Sequence, residues 1–242
     1  MTAPRFAIII PAYNHGTRIA DVVRGALTLG YPVFVVDDGS RDVTAQVLDA
    51  LSGIQVLRHP ANQGKGAALI TGMHAAADIA DYAITMDADG QHQPADARLL
   101  VAALGSERRA IVIGRREMED APWTSRKGRA FSNFWVWLSG GLRLGDSQSG
   151  FRIYPIADTL ALGVAARRYQ FEVEVLARAA WAGMPIVEVS VSAAYGSNLP
   201  RISHFRPFVD FLRNSGTFSR LIIRRVFSPS LWSPKVHDRQ SC

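Results

Sequence analysis

Along the first 115 residues, short apolar runs alternate with stretches in which apolar residues recur every three or four positions. Residues 6–10 are apolar throughout, the mark of a strand buried on both faces. Ile19, Val22, Val23, Ala26 and Leu27 then share one side of a helix predicted over 17–29. Residues 33–36, 54–57, 82–86 and 110–113 read as further strands, and 42–51 and 64–77 as the helices between them. Pro94 suits the first turn of another helix. This alternation predicts an α/β chain with a doubly wound, largely parallel sheet. After about Ala121 the periodicity loosens. It returns as a helix over 169–182 and a strand over 186–191, with Val187, Val189 and Val191 on one face.

Sheets of this kind take ligands beyond the carboxyl ends of their strands. Those ends carry Pro11-Ala12-Tyr13-Asn14, Asp37-Asp38-Gly39-Ser40, Asn62-Gln63-Gly64-Lys65-Gly66 and Asp87-Ala88-Asp89-Gly90-Gln91. Asp87 and Asp89 flank one alanine, so in an extended segment both carboxylates face one point. Two like charges so close call for a cation, and a hard divalent ion such as Mg2+ or Mn2+ suits them. A solvated acidic turn is the plainer alternative. An EF-hand is excluded, because Gly90 is fourth in the loop and Arg98 stands where its glutamate belongs. For Asp37 and Asp38, turn and cap chemistry competes with recognition of a nucleoside. The glycine loop at Lys65 lacks the spacing of a P-loop, and no dinucleotide fingerprint follows the first strand.

Arg115, Arg116, Arg126, Arg129 and Arg152 gather around the polar loop 145–152, where guanidinium groups suit phosphate capture or plain solvent exposure. The six histidines show no zinc spacing, and Ser149 lies in no nucleophile elbow. The single cysteine, Cys242, excludes an intrachain disulfide and a cysteine metal cage. Length and composition fit one globular α/β unit.

The net charge of +6 is unevenly placed. Residues 1–196 balance, whereas 197–242 hold eight Lys/Arg against two Asp/Glu. Phe205, Phe208, Leu212 and Phe218 lie among those arginines, which predicts a basic amphipathic helical C-terminal segment. Such a segment either lies on an anionic membrane surface or packs on the sheet, and its apolar face would equally serve a dimer. The expected division is 1–196 for the main α/β domain and 197–242 for the extension. No signal peptide and no apolar run of spanning length is read, so a cytoplasmic, membrane-peripheral protein is expected. An electroneutral body without a reader motif argues against nucleic acid as partner.

Taken in order, Ile9-Ile10-Pro11-Ala12-Tyr13-Asn14, Val35-Val36-Asp37-Asp38-Gly39-Ser40, Asn62–Gly66, Asp87–Gln91 and Asp146–Arg152 resemble family 2 glycosyltransferases. The branch they resemble is that of the polyprenyl-phosphate (dolichyl-phosphate) mannosyl- and glucosyltransferases, over roughly residues 6–195. The resemblance implies a Rossmann-like GT-A fold, a nucleotide-sugar donor (UDP- or GDP-linked), Mg2+ or Mn2+, and inversion at the anomeric carbon. It places Pro11, Tyr13, Asn14, Asp37, Asp38, Lys65 and Asp87 around the donor, and Asp87, Asp89 and Gln91 around the metal. Asp89, Arg116, Arg126, Arg129 and Asp146 are the implied catalytic group, with either Arg126 or Arg129 meeting phosphate. A polyprenyl phosphate acceptor is already an anion, whereas a hydroxyl acceptor needs a general base. Asp146, Glu172 and Glu174 are candidates for that base, and none is unmistakable, which favours the phosphate. A hydroxyl of a lipid or glycan is the alternative acceptor, and a non-catalytic membrane-surface module the remote one. Unlike some members of the family, this sequence shows no C-terminal spanning helices.

Overall fold

The computed structural model describes residues 3–117, 123–192, 216 and 219–227, without the side chains of 123–128 and 131. Strands β1 (Phe6–Ala12), β2 (Val33–Asp37), β3 (Ile54–Arg58) and β4 (Tyr82–Thr85) alternate with helices α1 (Ile19–Leu27), α2 (Thr44–Asp49) and α3 (Lys65–Ala76). Then follow α4 (Ala97–Leu104), β5 (Ile111–Arg116), α5 (Trp123–Gly140), β6 (Arg152–Pro155), α6 (Ile156–Ala161), α7 (Phe171–Trp181) and β7 (Ile186–Val191). The seven strands form one sheet in the order β3-β2-β1-β4-β6-β5-β7. All neighbours are parallel except β6, which runs antiparallel to both β4 and β5.

β1 is buried at every position because it is sandwiched between two layers. Ile8 and Ile10 join α1 and α4 in one core, while Ala7 and Ile9 join α3, α6 and α7 in the other. Pro11 is tolerated within this central strand for a geometric reason. Ile9 faces β4, where its carbonyl accepts from Met86, so Pro11 two residues on faces the same way. The register with β4 ends at Ile9, and the missing N–H falls where no strand remains to bond it.

The second half contains the elements that the hydrophobic pattern did not announce: α5, β6 and α6. β5 also runs beyond its apolar stretch to Arg116, which delivers two arginines to the strand end. β6 is short and opens with Arg152, which is fully buried. Its guanidinium donates to the carbonyls of Ser149 (2.7 Å), Ser147 (2.8 Å) and Glu172 (3.1 Å) and to Tyr154 Oη (3.0 Å). A buried arginine satisfied by so many oxygens holds the 147–149 loop in place.

Part of the basic extension packs on this body. A helix over 219–226 buries Leu221, and Arg220 pairs with Glu174 at 2.8 Å. Arg225 donates to the carbonyls of Trp137 and Leu138 at the end of α5, where a cation also meets the helix dipole. Arg224 lies 5.6 Å over the Trp181 ring. Ile223 and Val226 on this helix and Phe227 just after it remain exposed, as do Phe134 and Trp137 of α5. Phe205, Phe208, Leu212 and Phe218 lie outside the described residues. Among the described residues no helix is long and apolar enough to cross a membrane.

Candidate active site

The ends of β1, β2, β4 and β5 and the start of antiparallel β6 meet at one edge. Two turns there are tied by Asn14, whose backbone adopts a left-handed conformation (φ 55°). Its N–H donates to Ser40 Oγ (3.0 Å), and its Oδ1 accepts from the Arg41 N–H (2.8 Å). Asp37 accepts from the Ser40 N–H at 2.9 Å. Pro11 is buried and Tyr13 half-buried at the end of β1.

Asp38 turns into the protein. Its carboxylate accepts from the Gln63 N–H (2.9 Å) and the Gly64 N–H (2.7 Å), and lies 2.7 Å from His59 Nδ1. It therefore braces the glycine loop that leads into α3. Gly64, at φ 106°, has to be glycine: a Cβ would stand 2.4 Å from the Arg168 side chain. That close approach sets the first turn of α3 against the chain leading into α7, and brings Lys65 to Glu172.

Lys65 lies between two carboxylates. Its Nζ is 2.5 Å from Asp87 Oδ1 and 2.5 Å from Glu172 Oε1. Burial alone would lower the lysine pKa, but the two carboxylates outweigh it and raise it. Burial would likewise push Asp87 up, yet Lys65, His92 and Arg116 hold it at about 2. Asp89 moves the other way, pushed up by burial and by the charge of Asp87. Its Oδ1 accepts from the Gln91 N–H (3.0 Å), and its carbonyl accepts from Arg18 (2.7 Å). Gln91 itself is half-buried beside it.

A glycine makes room for this pair. A Cβ on Gly150 would stand 2.3 Å from Asp87 Oδ2, and the Gly150 carbonyl is fixed by Thr85 Oγ1 at 2.7 Å. Two adjacent carboxylates that resist simultaneous ionisation suit a divalent cation. Among the described residues no cluster of three or more His, Cys, Asp or Glu forms a closed metal cage. Two carboxylates and an amide suit a hard ion such as Mg2+ or Mn2+, which keeps waters and takes substrate phosphates.

On the other flank, Asp146 gathers two arginines. Arg116 Nε and Nη2 meet Asp146 Oδ2 (2.7 Å) and Oδ1 (3.1 Å), and Arg129 Nη2 meets Oδ2 (3.1 Å). Arg129 also donates to the Arg116 carbonyl at 3.0 Å. Burial would raise Asp146, but its bonds to Arg116 and the charges of both arginines hold it below the usual carboxylate range. Its loop is clamped from two sides. Glu188 of β7 accepts from the Gly145 (2.8 Å) and Asp146 (2.9 Å) N–H groups, and Asn133 of α5 bonds Gly145 and Ser147 at 3.0 Å each.

Of the remaining candidates, the Arg126 side chain lies outside the described residues. Glu174 is spent on the Ala165 and Ala166 N–H groups and on Arg178 and Arg220. Sequence reasoning missed His59 and Glu188, and gave Gly150 only as part of the Asp146–Arg152 motif, without a role. Glu188 left a signal, an acid alternating with Val187 and Val189 on a strand.

Three comparisons bear on this geometry. The family model described as Glycosyl transferase family 2 matches residues 7–161. The chain is 32% identical over 213 residues to the UDP-N-acetylglucosamine–dolichyl-phosphate N-acetylglucosaminyltransferase of Methanococcus voltae, covering 78% of this chain and 85% of that one. It is 33% identical over 206 residues to the undecaprenyl-phosphate mannosyltransferase of Micrococcus luteus, covering 78% and 83%. In fold it is similar to glucosyl-3-phosphoglycerate synthase from Mycobacterium tuberculosis, solved with Mn2+, UDP and phosphoglyceric acid. There the TM-score is 0.66 at 21% identity, covering 96% of this chain and 80% of that one. The architecture is thus GT-A, and a family match over most of the chain, joined by relatives above 30% identity, makes it a glycosyltransferase belonging to glycosyl transferase family 2.

Proposed function

We propose that the chain transfers a sugar, with inversion, from a UDP- or GDP-linked donor to a lipid-carried phosphate, a polyprenyl phosphate. The observation that carries this reading is Asp146. As the carboxylate nearest the arginines it is the natural general base, yet it is bonded through both oxygens and held at a low pKa. A group so placed is a poor proton acceptor near neutrality. A phosphate acceptor needs none, because its oxygen is already anionic.

The residues divide the work accordingly. Tyr13 and Asn14 with the 37–40 turn border the nucleoside, and Asp38 keeps the Lys65 loop in register. A divalent ion held by Asp87 and Asp89, with Gln91, would offset the charge that grows on the departing diphosphate. Arg116 and Arg129, aligned by Asp146, present guanidinium groups whose geometry suits the acceptor phosphate. The acceptor oxygen bonds to the anomeric carbon as the bond to the diphosphate breaks. The electron pair leaves with the nucleoside diphosphate, and no proton is removed.

The names of the archaeal and bacterial relatives support the lipid phosphate. So does an open cavity of about 320 Å3 on α5, lined by Ala130, Asn133, Phe134, Trp137, Arg143 and Leu144. It lies on the helix that carries Arg129 and suits the start of an isoprenoid chain. Exposed Phe134, Trp137, Ile223, Val226 and Phe227 suit contact with the cytoplasmic face of an anionic membrane.

The test compares polyprenyl phosphate with the free polyprenol of equal length, using labelled UDP- and GDP-sugars with Mn2+, Mg2+ or EDTA. Transfer to the phosphate alone, lost in EDTA, is expected. Transfer to the polyprenol would overturn the acceptor, and equal rates in EDTA would overturn the metal.

A further inference from the structure

We propose that Glu172 is a positioning residue that sets how tightly the acidic pair binds a divalent cation, acting through Lys65. The inference rests on the donor-site reading above. Asp87 has two cations to serve: the Lys65 ammonium, 2.5 Å from its Oδ1, and the divalent ion that reading assigns to it. On one carboxylate the two repel each other, steeply so in a site sheltered from water.

Glu172 supplies a second seat. It stands 2.5 Å from the same ammonium and comes from the first turn of α7, 107 residues away in sequence. The fold fixes it there closely. Its carbonyl accepts from buried Arg152, and Gly66 lets α3 approach α7 so nearly that a Cβ would stand 2.5 Å from Phe171 Cβ. With Glu172 ionised, Lys65 shifts its weight onto it when Asp87 turns to the metal, and the ammonium stays beside the diphosphate. Without that charge, Lys65 rests on Asp87 alone and opposes the incoming ion.

The measurement is Mn2+ titration of the full chain, followed by the electron paramagnetic resonance of free Mn2+, first alone and then with UDP or GDP. Glu172→Gln should weaken binding about tenfold, and Glu172→Asp, which keeps the charge, by about threefold or less. Lys65→Met should tighten Mn2+ binding measured without nucleotide. In that background Glu172→Gln should add less than about twofold, because the effect runs through the lysine. Equal losses in both backgrounds would overturn the inference, as would a silent Glu172→Gln in the parent chain. If Glu172→Gln fails to fold in a thermal melt, Lys65→Met decides alone: tighter binding supports a shared carboxylate, and unchanged or weaker binding overturns it. A parent chain that binds no Mn2+ with either nucleotide would sink the donor-site reading, and this inference with it.

Discussion

The two flanks of the site are built on opposite plans. On the acidic flank, the four aspartates Asp37, Asp38, Asp87 and Asp89 lie at or within a few residues of the ends of buried parallel strands, and short turns bonded to one another hold them. On the arginine flank, Arg116, Arg129 and Asp146 come from three separate pieces of chain, and a single buried carboxylate aligns them. The acidic flank is strained by its own charges, since Asp87 pushes Asp89 up. The arginine flank is held together by them. Charges repel one another on one side and tie the chain together on the other.

The sharpest way to break this contrast is Asp89→Ala. It should cut transfer on the order of a thousandfold and abolish metal-dependent nucleotide binding in calorimetry. It should also leave the melting temperature unchanged or raised, because a repulsion is relieved. Gly150→Ala probes the seam between the flanks. Its new Cβ displaces the Asp87 carboxylate, and a shift near 1 Å should cost roughly a hundredfold in kcat, measured with saturating donor.

Asp146→Asn should strike stability instead, by about 3 kcal/mol in urea unfolding, because buried Arg129 and half-buried Arg116 lose the carboxylate charge that aligns them. The pH dependence follows from the depressed pKa of Asp146. Its stabilisation is fully present above the unfolded carboxylate range near 4 and is lost as pH falls through the folded value. The asparagine variant should lack that part of the acid sensitivity. The smallest effect is expected at the rim, where Trp137→Ser with Phe227→Ser should lower partition onto anionic vesicles about tenfold and leave the melt unmoved.

The same contrast explains what could be read from the chain. β1, β2 and β4 were legible because a strand covered on both faces must be apolar at every position, and the acids that follow stand out. β7 was legible from its alternating valines. β6 was not, since Arg152 inside a four-residue strand looks like loop until its oxygen partners are seen. α5 was missed because its arginines and aromatics serve different surfaces. Asp38 was named from the sequence as a nucleoside-site candidate, but its bonds to the glycine loop required the fold. Lys65 and Glu172 were each noticed, and nothing in their spacing announced that they meet.

The reversed direction of β6 has one last consequence. The chain leaves the sheet at the end of β5 and re-enters it at the start of the adjacent β6, so the segment between them begins and ends at nearly the same place. Lengthening such a segment costs little, about 0.6 kcal/mol for each doubling. Arg129, Asp146 and the aromatic face of α5 all ride on it, while the acidic pair does not. On the proposed division of labour, the arrangement makes the arginine flank an exchangeable cassette: grafts between relatives would be expected to change what receives the sugar and leave the acidic pair as it was.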